Sequence, residues 1–254
     1  MDATPERDWP AAVEILNEDG RSGIVLLCEH ASNHMPACYA RLGLEAKHLE
    51  RHIAWDIGAA EVTRRLSERL DAPAFLGNYS RLLIDLNRPL GSAGSIPLRS
   101  EDTDIPGNAG IDEAERERRA EIMFTPYHKA VKNHLDARKA AGRATRIVTI
   151  HSFTPVFLGE KRPWHAGVLY DGANSLAGSI LDGLRADPAL NVGANVPYII
   201  SADADYAVPV HGDQRGIEAV LVEIRQDLLA DEAGIEEWTS RLASTLATLQ
   251  GARP

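Results

Sequence analysis

Cysteine is scarce: Cys28 and Cys38 are the only two in 254 residues, too few for a disulfide framework. Cys28 lies in an apolar run, where a thiol packs as a small hydrophobe. No apolar run approaches the roughly 18 residues that cross a bilayer. Met1 to Pro10 has no basic stretch followed by an apolar one, so no secretory signal is expected. Basic charge is in deficit as well, with 27 basic against 37 acidic residues and a formal net charge of -10. That argues against nucleic acid as the main partner, although a local arginine cluster can still take an anionic small molecule. Internal repeats and low-complexity segments are absent. The expectation is a soluble, cytoplasmic chain with no membrane partner. Its length suits one large α/β domain or two small ones. We read it as a single domain spanning 1–254, able to bury about 70–75% of its unfolded surface.

What is present alternates between strand-like and helix-like runs. Ile24 to Cys28 is continuously apolar, as in a strand covered on both faces. From Asp56 to Leu70, the residues Ile57, Ala60, Leu66 and Leu70 share a helical face. Two short strands are expected at Ala74–Leu76 and Leu82–Leu86. Pro89 to Gly110 reads as a long loop with some order of its own, a length that is often functional. A charged helix is expected over Ile111–Ala141, broken near Pro126. Strands at Arg146–Ile150 and Ala166–Tyr170, a helix at Asn174–Arg185, a strand at Ala219–Ile224 and a helix at Ala233–Leu249 complete the pattern. Strands alternating with helices predict an α/β fold of three layers, a mixed but mostly parallel central sheet with helices on both faces.

Three apolar strands end in chemistry-bearing residues. The first ends in Glu29-His30, the second in His151-Ser152, and the third in Glu223 with Arg225 two residues on. Sites in open α/β sheets form at the carboxyl ends of strands. His30 and His151 are the natural metal ligands, and neutral imidazoles with a carboxylate suit zinc or another divalent metal. Ligands near 2 Å from one ion require imidazole nitrogens within about 5 Å of each other. The third ligand is Asp56 or Glu29; Asp56 opens a helix and is equally at home as a cap. In Ser80 to Pro89 the charges Arg81, Asp85 and Arg88 flank or interrupt an apolar run, where a charge must be paired. Asn87 and Arg88 can grip a carboxylate through two parallel hydrogen bonds, and Arg81 can face a developing oxyanion. A structural ion-pair network is the alternative for all three charges. Glu223 is a candidate general base, or else a partner of Arg225. His211 is a candidate substrate or supporting group. The Glu160–His165 stretch is either a cover for the site or a solvated loop.

Several of these segments resemble the N-formylglutamate amidohydrolase family. They are Cys28 to Asn33, His52 to Ala59, Ser80 to Pro89, His151 to Pro155 and Val222 to Leu228. That family is similar in fold to zinc carboxypeptidases, succinylglutamate desuccinylase and aspartoacylase. The resemblance implies a zinc-carboxypeptidase-like mixed sheet and a zinc-dependent amidohydrolase that removes a small acyl group from an acidic amino acid such as glutamate. In those relatives an Asp-Leu-Asn-Arg stretch supplies the asparagine and arginine that bind the substrate carboxylate, and Asp85-Leu86-Asn87-Arg88 matches it. Arg81, His151 and Glu223 occupy the comparable places of the carbonyl-polarising arginine, the distal zinc histidine and the general base. Arg225 and His211 join the substrate-binding expectation. One departure stands out: the relatives carry an acid three residues after the first histidine, and here that residue is Asn33. A metallopeptidase or cell-wall amidase acting at a free carboxyl end is the competing enzyme reading. A carboxylate binder without catalysis is the competing non-enzyme reading.

Overall fold

The computed structural model describes residues 8–250; Met1 to Arg7, part of the N-terminal stretch read above, lie outside the described residues. Val13–Leu16 (β1), Ile24–Cys28 (β2), Ala74–Gly77 (β3), Arg146–Phe153 (β4), Ala166–Leu169 (β5), Val192–Ala194 (β6) and Ala219–Arg225 (β7) form one sheet. Across the sheet they lie in the order β1-β3-β2-β4-β7-β5-β6. The four central strands β3, β2, β4 and β7 are parallel. β1 runs antiparallel to β3, and β5 antiparallel to β7. The mixed, mostly parallel α/β sheet expected from the sequence is therefore the architecture observed.

The period of two along β2 explains how both faces are filled. Ile24, Leu26 and Cys28 face one core, with the helices Ala59–Leu70 (α1), Ser175–Arg185 (α2) and Glu232–Gln250 (α3) over them. Val25 and Leu27 face the other, with Tyr127, Val131 and Leu135 of Thr125–Ala140 (α4). Each such side chain, fully removed from water, contributes roughly 1.5–3 kcal/mol. α1 buries Ala59, Ala60, Val62, Thr63, Leu66, Ser67 and Leu70, the spacing of a one-sided helix. Among the described residues, no helix is long and apolar enough to cross a membrane.

Two expectations change. The charged helix over Ile111–Ala141 begins at Glu113, with Asp112 accepting the Glu115 amide at 2.9 Å as its cap. It widens into a π turn at Ala120–Phe124 before α4 resumes at Thr125. Pro126 has no amide hydrogen to close an ordinary turn, so the backbone takes an extra residue there.

Leu82–Leu86 is not a strand. Leu82, Leu83 and Ile84 are buried, but in a turning segment. Its carbonyls find side chains instead of a neighbouring strand: Asn108 Nδ2 donates to Leu82 O at 2.8 Å, and Arg119 Nη1 to Leu83 O at 2.9 Å. Arg119 is 2% exposed and also donates to Asn108 Oδ1 (2.7 Å) and Glu115 Oε1 (2.7 Å). A continuous apolar run signals burial, and only the pairing partners decide whether it is a strand. β1 and β6, at the two sheet edges, are too short to stand out in the sequence.

Replacing Arg119 by alanine leaves the buried Leu83 O and Asn108 Oδ1 without their donor, while Glu115 keeps Arg118. Arg119→Ala is expected to lower the unfolding free energy in urea by about 3–5 kcal/mol. A loss below about 1 kcal/mol would mean that the buried segment does not depend on this guanidinium.

Candidate active site

The three strands that end in polar residues are neighbours. β2 lies beside β4 with Leu27 opposite Thr149, and β4 lies beside β7 with His151 opposite Glu223. Their carboxyl ends open on a cavity of about 500 Å³, whose lining includes His30, Asp56, Arg81, His151 and Glu223.

Asp56 reaches the cavity from the turn before α1. Its amide donates to His30 O at 2.9 Å, which ties that turn to the end of β2. Gly58 closes the turn with φ of +81°, and a Cβ there would stand 2.4 Å from Leu229 Cβ, so neither the backbone nor the space admits another residue.

The two histidines are oriented alike. His30 Nε2 lies 2.7 Å from Asp85 Oδ1, and His151 Nε2 lies 2.9 Å from Glu29 Oε2. Both inner nitrogens turn to one atom, Asp56 Oδ2, at 3.4 Å from His30 Nδ1 and 2.8 Å from His151 Nδ1. Ligand atoms of His30, Asp56 and His151 all lie within 4.8 Å of one another, and all three residues are buried. Holding the outer nitrogen of a histidine on a carboxylate fixes its tautomer and aim, as around metal ions. Glu29 is thus placed behind His151, where it also accepts from Thr149 Oγ1 at 2.5 Å, and Asp56 is the acid that joins the two imidazoles. Asn33, at the departure noted above, donates to Leu49 O at 2.8 Å and takes no part in the cluster.

Burial works against every charge here, and neighbours decide the outcome. It would raise Glu29, but the hydrogen bond and charge of His151, with Thr149, bring its carboxyl down to about 2. Asp56 is likewise opposed by burial yet held well below the usual carboxylate range by His30, His151 and His52. Asp85 is also held far down, by His30 and Arg81. Burial would lower His151, but Asp56 and Glu29 on its two nitrogens push it up to about 10. Glu223 is the exception. Burial dominates, with Asp56 adding repulsion, and its carboxyl is pushed up to about 7. Its Oε2 is buried without a hydrogen-bond partner among the described residues.

The Ser80–Pro89 segment reaches the cavity from the β2 side. Arg81 spans two acids, with Nη1 3.2 Å from Asp56 Oδ1 and Nη2 2.9 Å from Asp85 Oδ2. Asn87 Oδ1 accepts the amides of Tyr206 (3.1 Å) and Ala207 (2.9 Å). Arg88 Nη1 donates to Ala204 O (2.6 Å) and to Asp205 Oδ1 (2.7 Å). Asn87 and Arg88 both line the cavity, and both also anchor the 204–207 segment.

Besides Glu29, two expected residues stand apart from the cavity lining. Arg225 pairs with Asp227 at 2.7 Å and donates to the carbonyls of Arg162 and Trp164, fastening the 160–165 segment to the end of β7. His211 is buried against His128, its Nε2 2.9 Å from His128 Nδ1; His128 Nε2 in turn donates to Leu86 O at 2.8 Å. That relay supports the segment carrying Asp85, Asn87 and Arg88 from beneath. The long 89–110 loop supplies Gly94, Pro97 and Arg99–Glu101 to the cavity, and Phe157 comes from the hairpin just before the 160–165 stretch. Residues missed by the sequence reading include His52, Thr149, Asp205 and Tyr198. His52 could have been noticed four residues before Asp56; Asp205 and Tyr198 sit in a loop with no periodic signal.

A parallel-centred α/β sheet whose strand ends unite two histidines, an aspartate and a buried glutamate has the chemistry of a hydrolase. Residues 22–230 match the N-formylglutamate amidohydrolase family, and the chain belongs to that family. The crystal structure of the Atu2144 gene product from Agrobacterium tumefaciens is similar over 96% of each chain, at 38% identity and a TM-score of 0.91. N-formylglutamate amidohydrolase from Ralstonia eutropha JMP134 shares the fold, with a TM-score of 0.70 at 16% identity over 95% of this chain and 97% of that one. No curated protein matches the sequence.

The His128–His211 pair makes a pH prediction. Burial lowers His128 to about 3, aided by His211, and lowers His211 to about 4. An unfolded histidine titrates near about 6.5. Between these values the unfolded chain binds more protons, so this contribution is complete above about 6.5 and is lost as pH falls toward 4. His211→Gln keeps a donor for His128 and removes one titrating ring. Between pH 6.5 and 5, its stability in urea should fall less steeply than the parent's, by up to about 1.4 kcal/mol per pH unit. Parallel slopes would show that His211 is not buried neutral.

Proposed function

We propose that the chain hydrolyses the amide bond of an N-acyl amino acid, with the whole of 1–254 serving as one catalytic domain for a small-molecule substrate. The observation that carries this reading is the convergence of His30 Nδ1, His151 Nδ1 and Asp56 Oδ2 beside the unpartnered Glu223 Oε2. Family membership supports amide hydrolysis, with N-formylglutamate as the reference substrate and formate plus a free amine as products.

The donor set fits a divalent metal such as zinc: two imidazoles whose outer nitrogens are already on carboxylates, and one carboxylate facing inward. His30, Asp56 and His151 would hold it. When bound, such an ion supplies Lewis acidity to the scissile carbonyl and makes water a better nucleophile at neutral pH.

The remaining work falls to this chain's own groups. Glu223 takes a proton from the attacking water on Oε2 and passes it to the leaving amine nitrogen as the C–N bond breaks. Its burial keeps it near the neutral range, where a carboxyl can both accept and release a proton. Arg81 holds Asp56 and Asp85 in their ionised forms while presenting positive charge to the carbonyl oxygen. Arg88 receives the carboxylate next to the scissile amide, and Asn87 holds the adjoining backbone.

Glu223→Gln should fold like the parent and release amine about 10²–10⁴-fold more slowly, measured with N-formyl amino acids after chelation and readdition of zinc. Normal turnover in that variant would remove Glu223 from the mechanism, and turnover unaffected by chelation would remove the metal.

Arg88 is tested by a two-by-two comparison. Arg88→Lys keeps the charge but loses the planar fork. The expected loss is about 10- to 150-fold in kcat/KM for a substrate with a free carboxylate, the equivalent of about 1.5–3 kcal/mol. The matching substrate with a neutral carboxamide should show little of that loss. Equal losses on both would make Arg88 a structural partner of Asp205.

A further inference from the structure

We infer that Arg162 is a specificity-determining residue of this site, whose guanidinium receives a second carboxylate of the substrate besides the one that Arg88 holds. The inference rests on the proposed hydrolysis of an N-acyl amino acid and adds a contact to it.

The state of this guanidinium is the first ground. Arg162 is 9% exposed, and a buried cation is costly unless an anion offsets it. The arginines that line the cavity have such partners: Arg81 has Asp56 and Asp85, Arg88 has Asp205, and Arg99 has Asp104. Arg162 forms no ion pair among the described residues, and its hydrogen bond to Thr154 Oγ1 is long, at 3.5 Å. Arg138, also buried without a carboxylate partner, spends its donors on Ser22 O, Ala144 O and Thr145 Oγ1. Arg162 has no comparable set. Its Cζ lies instead 4.5 Å from the centre of the Phe157 ring, 4.8 Å from that of Tyr198 and 5.8 Å from that of Phe153. Ring faces attract a cation but leave its in-plane N–H groups for a carboxylate.

The second ground is placement. Arg162 directly follows the hairpin of Val156–Phe157 and Glu160–Lys161. Its amide donates to Pro155 O at 2.9 Å, which closes the base of that hairpin. Its carbonyl accepts Arg225 Nη1 at 3.5 Å, two residues past Glu223. Phe157 and Tyr198 line the cavity, so the guanidinium stands at the seam between them. Its charge reaches inward: burial and Glu223 push the Tyr198 hydroxyl up, and Arg162 opposes that shift. Tyr198 is 40% exposed, which leaves its ring room to turn and admit a carboxylate. Arg88 pairs with Asp205 of the same 195–206 loop. Two guanidinium groups thus flank that loop and can meet the two ends of a dicarboxylate. The second carboxylate can belong to the amino-acid side chain or to the acyl group, because both present the same planar anion to the fork.

Two matched pairs separate these sources: N-formylglutamate against N-formylglutamine, and N-succinylglutamine against N-succinamoylglutamine. Within each pair only a carboxylate and a carboxamide are exchanged. In at least one pair the carboxylate should bind the zinc-loaded parent about 10-fold more tightly or better by calorimetry, and that pair names the source. Arg162→Met keeps a chain to pack on the rings but no charge, and should abolish the preference while hardly changing the carboxamide. Arg162→Lys, which retains the cation without the fork, should keep a reduced preference and stands in where Arg162→Met does not fold. No preference in either pair, or binding of none of the four, overturns the inference. So does a preference that Arg162→Met leaves intact or Arg162→Lys leaves undiminished, and so does equal weakening of both members, the mark of a structural role. Amine release is followed in the same samples. Carboxylate-selective binding without release would sink the hydrolytic reading and leave the Arg162 contact standing, whereas release without carboxylate preference would do the reverse.

Discussion

A single buried carboxylate organises this molecule's chemistry. Asp56 is 1% exposed, and besides His52 of its own turn its two oxygens meet four groups from other elements: His30, His151, Arg81 and the Ser152 amide. Those partners come from β2, β4 and the 80–88 segment, so one anion links the elements that define the cavity. Burying a carboxylate is tolerable only when its partners satisfy it. The turn that delivers Asp56 is correspondingly rigid, tied to the end of β2 through His30 O and closed by a glycine that nothing else can replace.

The groups around Asp56 are themselves held from behind. Asp85 Oδ1 takes both His30 Nε2 and the Asn87 amide, and its Oδ2 takes Arg81. Glu29 and Thr149 do the same for His151. Further out, His128 and Arg119 satisfy the carbonyls of Leu86 and Leu83, which keeps the 80–88 segment folded in the interior without a sheet partner. Each layer removes a degree of freedom from the one inside it. Positioning of this kind lets a site act without reorganising at the moment of reaction.

Much of this was legible in the sequence, for reasons that can be named. The central strands are read from continuous apolar runs, and their mostly parallel arrangement follows from the alternation with helices. His30, His151 and Glu223 are visible because each interrupts an apolar strand at its end. The fate of Leu82–Leu86 was not legible, because hydrophobicity reports burial and is silent on who donates to the backbone carbonyls; those donors, Asn108 and Arg119, are 22 and 33 residues beyond the segment. The choice between Asp56 and Glu29 was left open for a related reason. Both are acids next to apolar elements, and only the fold puts one between the imidazoles and the other behind His151. Arg225 and His211 have the right residue types at a strand end and in a turn, but their partners, Asp227 and His128, turn them to structural work.

The same charge pattern bears on the proposal that His30, Asp56 and His151 hold a cation. Around the two histidines, in front and behind, Asp56, Asp85, Glu29 and Glu223 stand against one guanidinium, Arg81. With both imidazoles neutral, that set is markedly anionic, and its carboxylates would repel one another in a medium less polar than water. Two groups register this excess: the ring of His151, pushed up to about 10 by Asp56 and Glu29 against the opposing effect of burial, and Glu223, whose carboxyl burial pushes up to about 7. A divalent ion between the inner nitrogens and Asp56 would relieve the same excess without those protons, leaving His151 neutral and Glu223 free to serve as a base. A proton on the His151 ring and the positive charge of an ion would be alternative solutions to one electrostatic problem. The arrangement of Glu29 and Asp85 on the outer nitrogens serves both, because each carboxylate keeps its histidine aimed inward whichever of them is present.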